Sequence, residues 1–165
     1  MSIFKYPLIV NETIIDSSPA EVRTFLLDFN NIKLWTLTSK LIKDLLIERG
    51  ETHEQVAGID AKEGDIIKVL STQVGWADAT IYINTPTHFG YQGGAYGFKA
   101  QHWWEFLPLG PENDSKTRFR HCEQMSGWSA PLFWPRSPLH SWLKGLFDGF
   151  DKELKAVVEQ QSSSS

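Results

Sequence analysis

Cysteine is almost missing from this chain: Cys122 stands alone among 165 residues. An internal disulfide and a cysteine-cluster metal site are therefore excluded. Runs of Lys or Arg are absent too, and the net charge is −4, so the basic footprint of a nucleic-acid or anionic-membrane binder is missing. The opening stretch "MSIFKYPLIVNETIID" has neither the basic-then-apolar order of a signal peptide nor an apolar run long enough to span a bilayer. A cytoplasmic chain with no membrane insertion is the expectation. No glycine-rich loop precedes a helix as a phosphate site requires, and no Gly-x-Ser-x-Gly elbow occurs. Nucleotide binding and covalent nucleophilic catalysis are unsupported, and no cofactor or metal is expected.

What the chain has instead is aromatic surface: 13% of residues are Phe, Trp or Tyr, and seven are tryptophan. That much bulk lines either a core or a cavity. The length suits one domain with a single core, over residues 1–161, with a polar tail at 162–165.

The stretch "LIVNETII" (8–15) is β-branched and reads as a first strand. In "SPAEVRTFLLDF" Ser18 can cap a helix, Pro19 suits its first position and Glu21 completes a capping box, so a helix to about Asp28 is expected. A second short helix through "NNIKLW" carries Trp35. Strands follow near 40–49, 64–74, 77–84, 87–93, 98–107 and 116–126, separated by turn-like clusters such as "RGETHEQVAGIDAKEGD" and "LGPENDSK". In "WADATIYIN" Ala77, Ala79, Ile81 and Ile83 share the face opposite Asp78, Thr80 and Asn84. From about Pro138, Leu139, Trp142, Leu143, Leu146, Phe147, Phe150, Leu154, Val157 and Val158 recur at three and four, the period of one helix face. Lys144, Asp148, Asp151, Lys152 and Lys155 are assigned to the other, solvent face.

Parity within two strands selects a candidate site. In "TRFRHCEQM" (117–125) the set holding Arg118 and Arg120 belongs in solvent, so Phe119, His121, Glu123 and Met125 face inward. In "QHWWEF" (101–106) the same polarity test points His102 and Trp104 inward and Gln101, Trp103 and Glu105 outward. A hairpin turning near Glu112 sets His102 across from His121 or Glu123, with opposed Cβ atoms about 5 Å apart. Two imidazoles and a carboxylate in apolar surroundings suit proton transfer near neutral pH. Each is equally a buried polar side chain satisfied by its neighbours.

The order of these pieces resembles the START-like or SRPBCC superfamily of polyketide cyclase/dehydrase and lipid-transfer proteins. They are "SPAEV" entering the first helix, Trp35 after the second, "HWWEFLP" and "TRFRHCEQMSGW" across a hairpin, and a closing amphipathic helix. The resemblance implies an α+β helix-grip fold. In it a curved antiparallel sheet of about seven strands wraps a long C-terminal helix around a deep apolar cavity. Trp35, Trp104, Phe119, Met125, Trp128, Phe133, Trp134 and Trp142 are then expected along the ligand. The loop "GWSAPLFWPRSP" (127–138) would be a mobile lid or a stiff plug. Such a fold hosts several activities, and two stay open. One is a cyclase, dehydratase or isomerase acting on a polyketide-like or terpenoid-like molecule through His102, His121 and Glu123. The other is a carrier or sensor of a lipid or aromatic metabolite. A homodimer, or a protein partner on Trp103 and the aromatic loop, is a further alternative.

Overall fold

A computed structural model describes residues 8–35, 42–71, 75–95, 97–110 and 113–162. Strand β1 (Leu8–Ile15) leads into helix α1 (Pro19–Leu27), then a 3₁₀ turn and the short helix α2 (Ile32–Trp35). The α1 entrance follows its sequence. The Ser18 hydroxyl accepts from Glu21 N–H at 3.3 Å, and the Glu21 carboxylate accepts from Ser18 N–H at 3.0 Å. Pro19 loses nothing at a position whose N–H has no helical partner.

The remaining strands are β2 (Ile42–Glu48), β3 (Gln55–Val56), β4 (Ile66–Ser71), β5 (Gly75–Thr85), β6 (His88–Ala95), β7 (Phe98–Gly110) and β8 (Asn113–Gly127). Helix α3 (Pro138–Ser162) closes the chain. The strands form one open antiparallel sheet in the order β1-β8-β7-β6-β5-β4-β2-β3. Its inner face packs against α1 and α3, with Trp104, Phe106, Phe119, Phe147, Phe150 and Leu154 buried between them.

Eight strands stand where about seven were expected. The addition is β3, two residues inside a segment read as a turn, where Val56 pairs with Ile47. At 42–49 and 64–71 the expected strands are present, whereas residues 40–41 and 72–74 lie outside the described residues. Helix α3 takes in Ser162, assigned above to the polar tail; its hydroxyl donates to Val158 O at 3.2 Å. Residues 163–165 lie outside the described residues.

One parity assignment is inverted. A bulge between Ile81 and Ile83 turns the end of β5 over, so Ile81 pairs with Tyr91 but Ile83 with Gly90 and Asn84 with Phe89. Phe89 is fully buried, which puts Asn84 rather than Ile83 on the inner face. There its amide donates to Ala61 O at 2.7 Å and its carbonyl accepts from Arg23. One extra residue flips every later side chain.

Candidate active site

Two rows of side chains cross the inner face at the middle of the sheet. The first runs Asn11, His121, Trp104 and Phe89 from β1 through β8, β7 and β6. The second runs Ile9, Glu123, His102, Tyr91 and Ile81. His102 therefore faces Glu123, one of the two partners the parity argument allowed, and His121 faces Trp104. Antiparallel register brings His102, His121 and Glu123 into one patch.

The patch is a linear chain of contacts. Nδ1 of His121 lies 2.9 Å from Oδ1 of Asp151 on α3. Nε2 of His121 lies 3.1 Å from Nε2 of His102. Nδ1 of His102 lies 3.5 Å from Oε2 of Glu123. Phe147 lies flat on the His121 ring, with centroids 3.8 Å apart at 9°, and Tyr91 stacks on His102 at 4.9 Å. Aromatic walls on both rings fix their orientation, so the four polar groups meet in one arrangement.

Asp151 corrects the reading of α3. Assigned to the solvent face, its side chain is only 1% exposed. It falls four residues after Phe147 and three before Leu154, inside the apolar stripe, and that spacing was the signal available in the sequence. Asn11 was missed likewise, although the alternation of "LIVNETII" places it between inward Ile9 and Thr13. Its amide donates to Asp148 and its carbonyl accepts from Lys144 at 2.8 Å.

Burial sets the protonation of the inner groups. It pushes the Asp151 carboxyl up to about 8; nearby Asp148 adds to this, while Asn11, His102 and Lys144 oppose it. Oδ2 of Asp151 is buried with no hydrogen-bond partner among the described residues, an arrangement far costlier for an anion than for an acid. Burial also holds His121 well below its ordinary range, reinforced by His102 and opposed by Glu123. The Tyr91 phenol is pushed far up by burial and by Glu123, so it stays a hydroxyl.

The outer end of the chain opens into a cavity of about 400 Å³ between the sheet and α3. His102, Glu123 and Tyr91 stand in its wall beside Val69, Ala77, Ala79, Ala100, Met125, Phe133, Trp142 and Phe147. Of the expected ligand contacts, Met125, Phe133 and Trp142 line this space. Trp104 and Phe119 instead lie fully buried in the core beneath it. Trp128 is 78% exposed and Trp134 also faces outward, because the 3₁₀ turn Ala130–Phe133 is anchored by Ala130 and by Phe133 against Phe98 at 5.7 Å. The side chain of Trp35 lies outside the described residues.

On the opposite face of the sheet, Trp103 Nε1 donates to Glu105 at 2.9 Å, and Glu105 also accepts from Arg120 at 2.6 Å. Glu105 faces outward as expected but is buried beneath these partners. Cys122 is buried on that face as well, its thiol pushed up to about 12 by burial and by Glu105. Among the described residues no group of three His, Cys, Asp or Glu is arranged to hold a metal ion. None of their helices is long and apolar enough to cross a membrane.

No family model and no curated protein matches the chain. Solved structures do. The Thermus thermophilus protein TTHA0849 aligns over 96% of this chain and 100% of its own, with a TM-score of 0.63 at 16% identity. A START superfamily protein from Mycobacterium smegmatis aligns over 93% and 98%, with a TM-score of 0.60 at 14% identity. A point mutant of norcoclaurine synthase from Thalictrum, solved with a transition-state analogue, aligns over 96% and 97%, with a TM-score of 0.60 at 10% identity. At such identities the likeness is one of fold.

Proposed function

We propose, from the START-like helix-grip fold and the polar end of its cavity, that this protein binds a hydrophobic small molecule and moves a proton on it. The single observation that carries the reading is the pairing of His102 with Glu123 at the wall of an otherwise largely apolar space. Convergent ionisable groups at one end of an apolar pocket orient a ligand and exchange protons with it. The apolar wall folds and desolvates the substrate. Glu123 or His102 takes a proton from one of its carbons or oxygens, and the same pair returns one elsewhere. Cyclisation, dehydration and isomerisation of a polyketide-like or terpenoid-like molecule all need that sequence of steps.

His102 and Glu123 are the catalytic residues in this reading, and His121 is a positioning residue behind them. Tyr91, Met125, Phe133, Trp142 and Phe147 hold the ligand. A START superfamily protein and norcoclaurine synthase share the fold, which supports a ligand cavity and leaves the reaction to the residues.

Native mass spectrometry of purified protein beside a denatured control identifies a co-purifying molecule. Incubating that complex in heavy water then reads proton exchange at carbon. The expected result is deuterium incorporation by the wild type, lost in His102→Asn and Glu123→Gln while the ligand stays bound. A ligand that is retained but never labelled, with the same outcome in all three proteins, overturns the enzymatic reading in favour of a carrier.

A further inference from the structure

We propose that Asp151 and Glu123 share one proton through the two imidazoles that separate them. The argument starts from the contact between the two Nε2 atoms, 3.1 Å apart. Two bare ring nitrogens at that distance repel, and two protonated ones clash, so one proton lies between them. Which ring supplies it decides everything else.

If His121 supplies it, a neutral His121 has a bare Nδ1, and the 2.9 Å contact to Asp151 requires the carboxyl to donate. His102 then carries its proton on Nδ1 and offers it to the Glu123 carboxylate. If His102 supplies it instead, its own Nδ1 is bare, so Glu123 is the acid, while His121 donates from Nδ1 to an Asp151 carboxylate. The two arrangements contain the same atoms and the same single negative charge. A third, with His121 as imidazolium between two carboxylates, is disfavoured by the burial that depresses that ring.

Passage between the two neutral-ring arrangements is a balanced shift of three protons. One leaves Oδ1 of Asp151 for Nδ1 of His121. Nε2 of His121 gives its proton to Nε2 of His102. Nδ1 of His102 gives its proton to Oε2 of Glu123. No ring ends charged, and the negative charge moves from the cavity wall to the buried carboxylate. Asp151 thus stores the proton that Glu123 uses, and Glu123 alternates between base and acid without a charge being created beside the ligand.

The surroundings of each end fit. Asp151 is faced by Asp148 and Lys144 of its own helix, by His121 of β8 and His102 of β7, and by Asn11 of β1. Burial there favours the acid, whereas Glu123 borders the cavity. The catalytic use of this device rests on the proposed function; the proton sharing does not.

Long-range ¹H–¹⁵N correlation spectra of the imidazoles, on ligand-free protein between pH 5.5 and 9.5, test it. The His102 and His121 signals are assigned by their loss in His102→Asn and His121→Asn. In the wild type both rings are expected to stay neutral, with protons on Nε2 of His121 and Nδ1 of His102 below about pH 8. The two are expected to exchange tautomer together as Asp151 ionises. Asp151→Asn should abolish the change in His102, a ring that Asp151 does not contact. Glu123→Gln, at the exposed end of the chain, should alter the tautomer balance of His121 in the same way from the opposite side. Independent titration of the two rings, or a His102 response untouched by Asp151→Asn, overturns the proposal. Either outcome stands apart from the deuterium experiment, because no ligand takes part.

Discussion

Oδ1 of Asp151 lies 2.9 Å from Nδ1 of His121, with both side chains 1% exposed. A carboxyl that deep, pushed up to about 8 chiefly by burial, binds its proton more tightly in the folded chain than in the unfolded one. Between the ordinary carboxylate range and about pH 8 the native state therefore holds the extra proton, and this group's contribution to stability falls as pH rises, by at most about 1.4 kcal/mol per pH unit. Asp151→Asn removes the titration. Thermal melts at pH 5.5 and 8.5 are expected to show the variant gaining on the wild type at the higher pH. A constant difference between the two proteins contradicts this.

Glu123 and Glu105 offer a controlled comparison, since both are carboxylates at the middle of the central hairpin but on opposite faces of the sheet. Glu123→Gln is expected to lower ligand deuteration by about 10²–10⁴, the usual worth of a positioned acid or base. Glu105→Gln breaks the contacts to Arg120 and Trp103 and is expected to cost about 1–3 kcal/mol of stability while leaving the deuteration rate unchanged. Equal effects of the two variants on the rate would assign Glu123 a structural role.

The central hairpin was legible because its two faces differ sharply in polarity, so the arginines of β8 fixed which residues look inward. Asp151 was not, because a carboxylate on an amphipathic helix reads as solvent-facing by type even when its spacing puts it among Phe147, Phe150 and Leu154. Type and spacing disagreed there, and the neighbouring imidazole resolves the disagreement in favour of spacing. The end of β5 was misread for a different reason. A bulge changes parity without changing composition, so nothing in "WADATIYIN" marks where Asn84 turns inward. Trp104 and Trp128 were both expected along the ligand because they are bulky and apolar. One fills the core and the other lies outside it, a distinction that only the third dimension supplies.

Ala100 sits in the cavity wall opposite Met125, away from the Asp151–His121 contact. Ala100→Phe puts an aromatic ring into a space of about 400 Å³. Binding of a fluorescent apolar probe such as 1-anilinonaphthalene-8-sulfonate, if it enters here, is expected to weaken at least about tenfold, the effect of losing 1.4 kcal/mol. The imidazole spectra should stay as in the wild type. Unchanged probe affinity would place its binding elsewhere on the surface, for instance on the exposed aromatics Trp128 and Trp134.

Gly127 ends β8 with φ of 96°, and a Cβ built there would stand 1.7 Å from the carbonyl oxygen of Gly97. Backbone cannot yield as a side-chain tip can, so both the left-handed conformation and the close approach require glycine. The residue after it, Trp128, bonds its N–H to the same carbonyl at 3.1 Å. From there the chain runs to Ala130 and Phe133, which anchor the segment beside the cavity. Gly127→Ala is expected to cost at least about 1–3 kcal/mol, the usual cost of a residue forced into such strain, and to release the turn that holds Phe133 against Phe98. Thermal unfolding reads the first effect and probe affinity the second. Loss of stability with full probe affinity would show that the cavity keeps its shape without Phe133, and that the segment 128–137 is a cover rather than a wall.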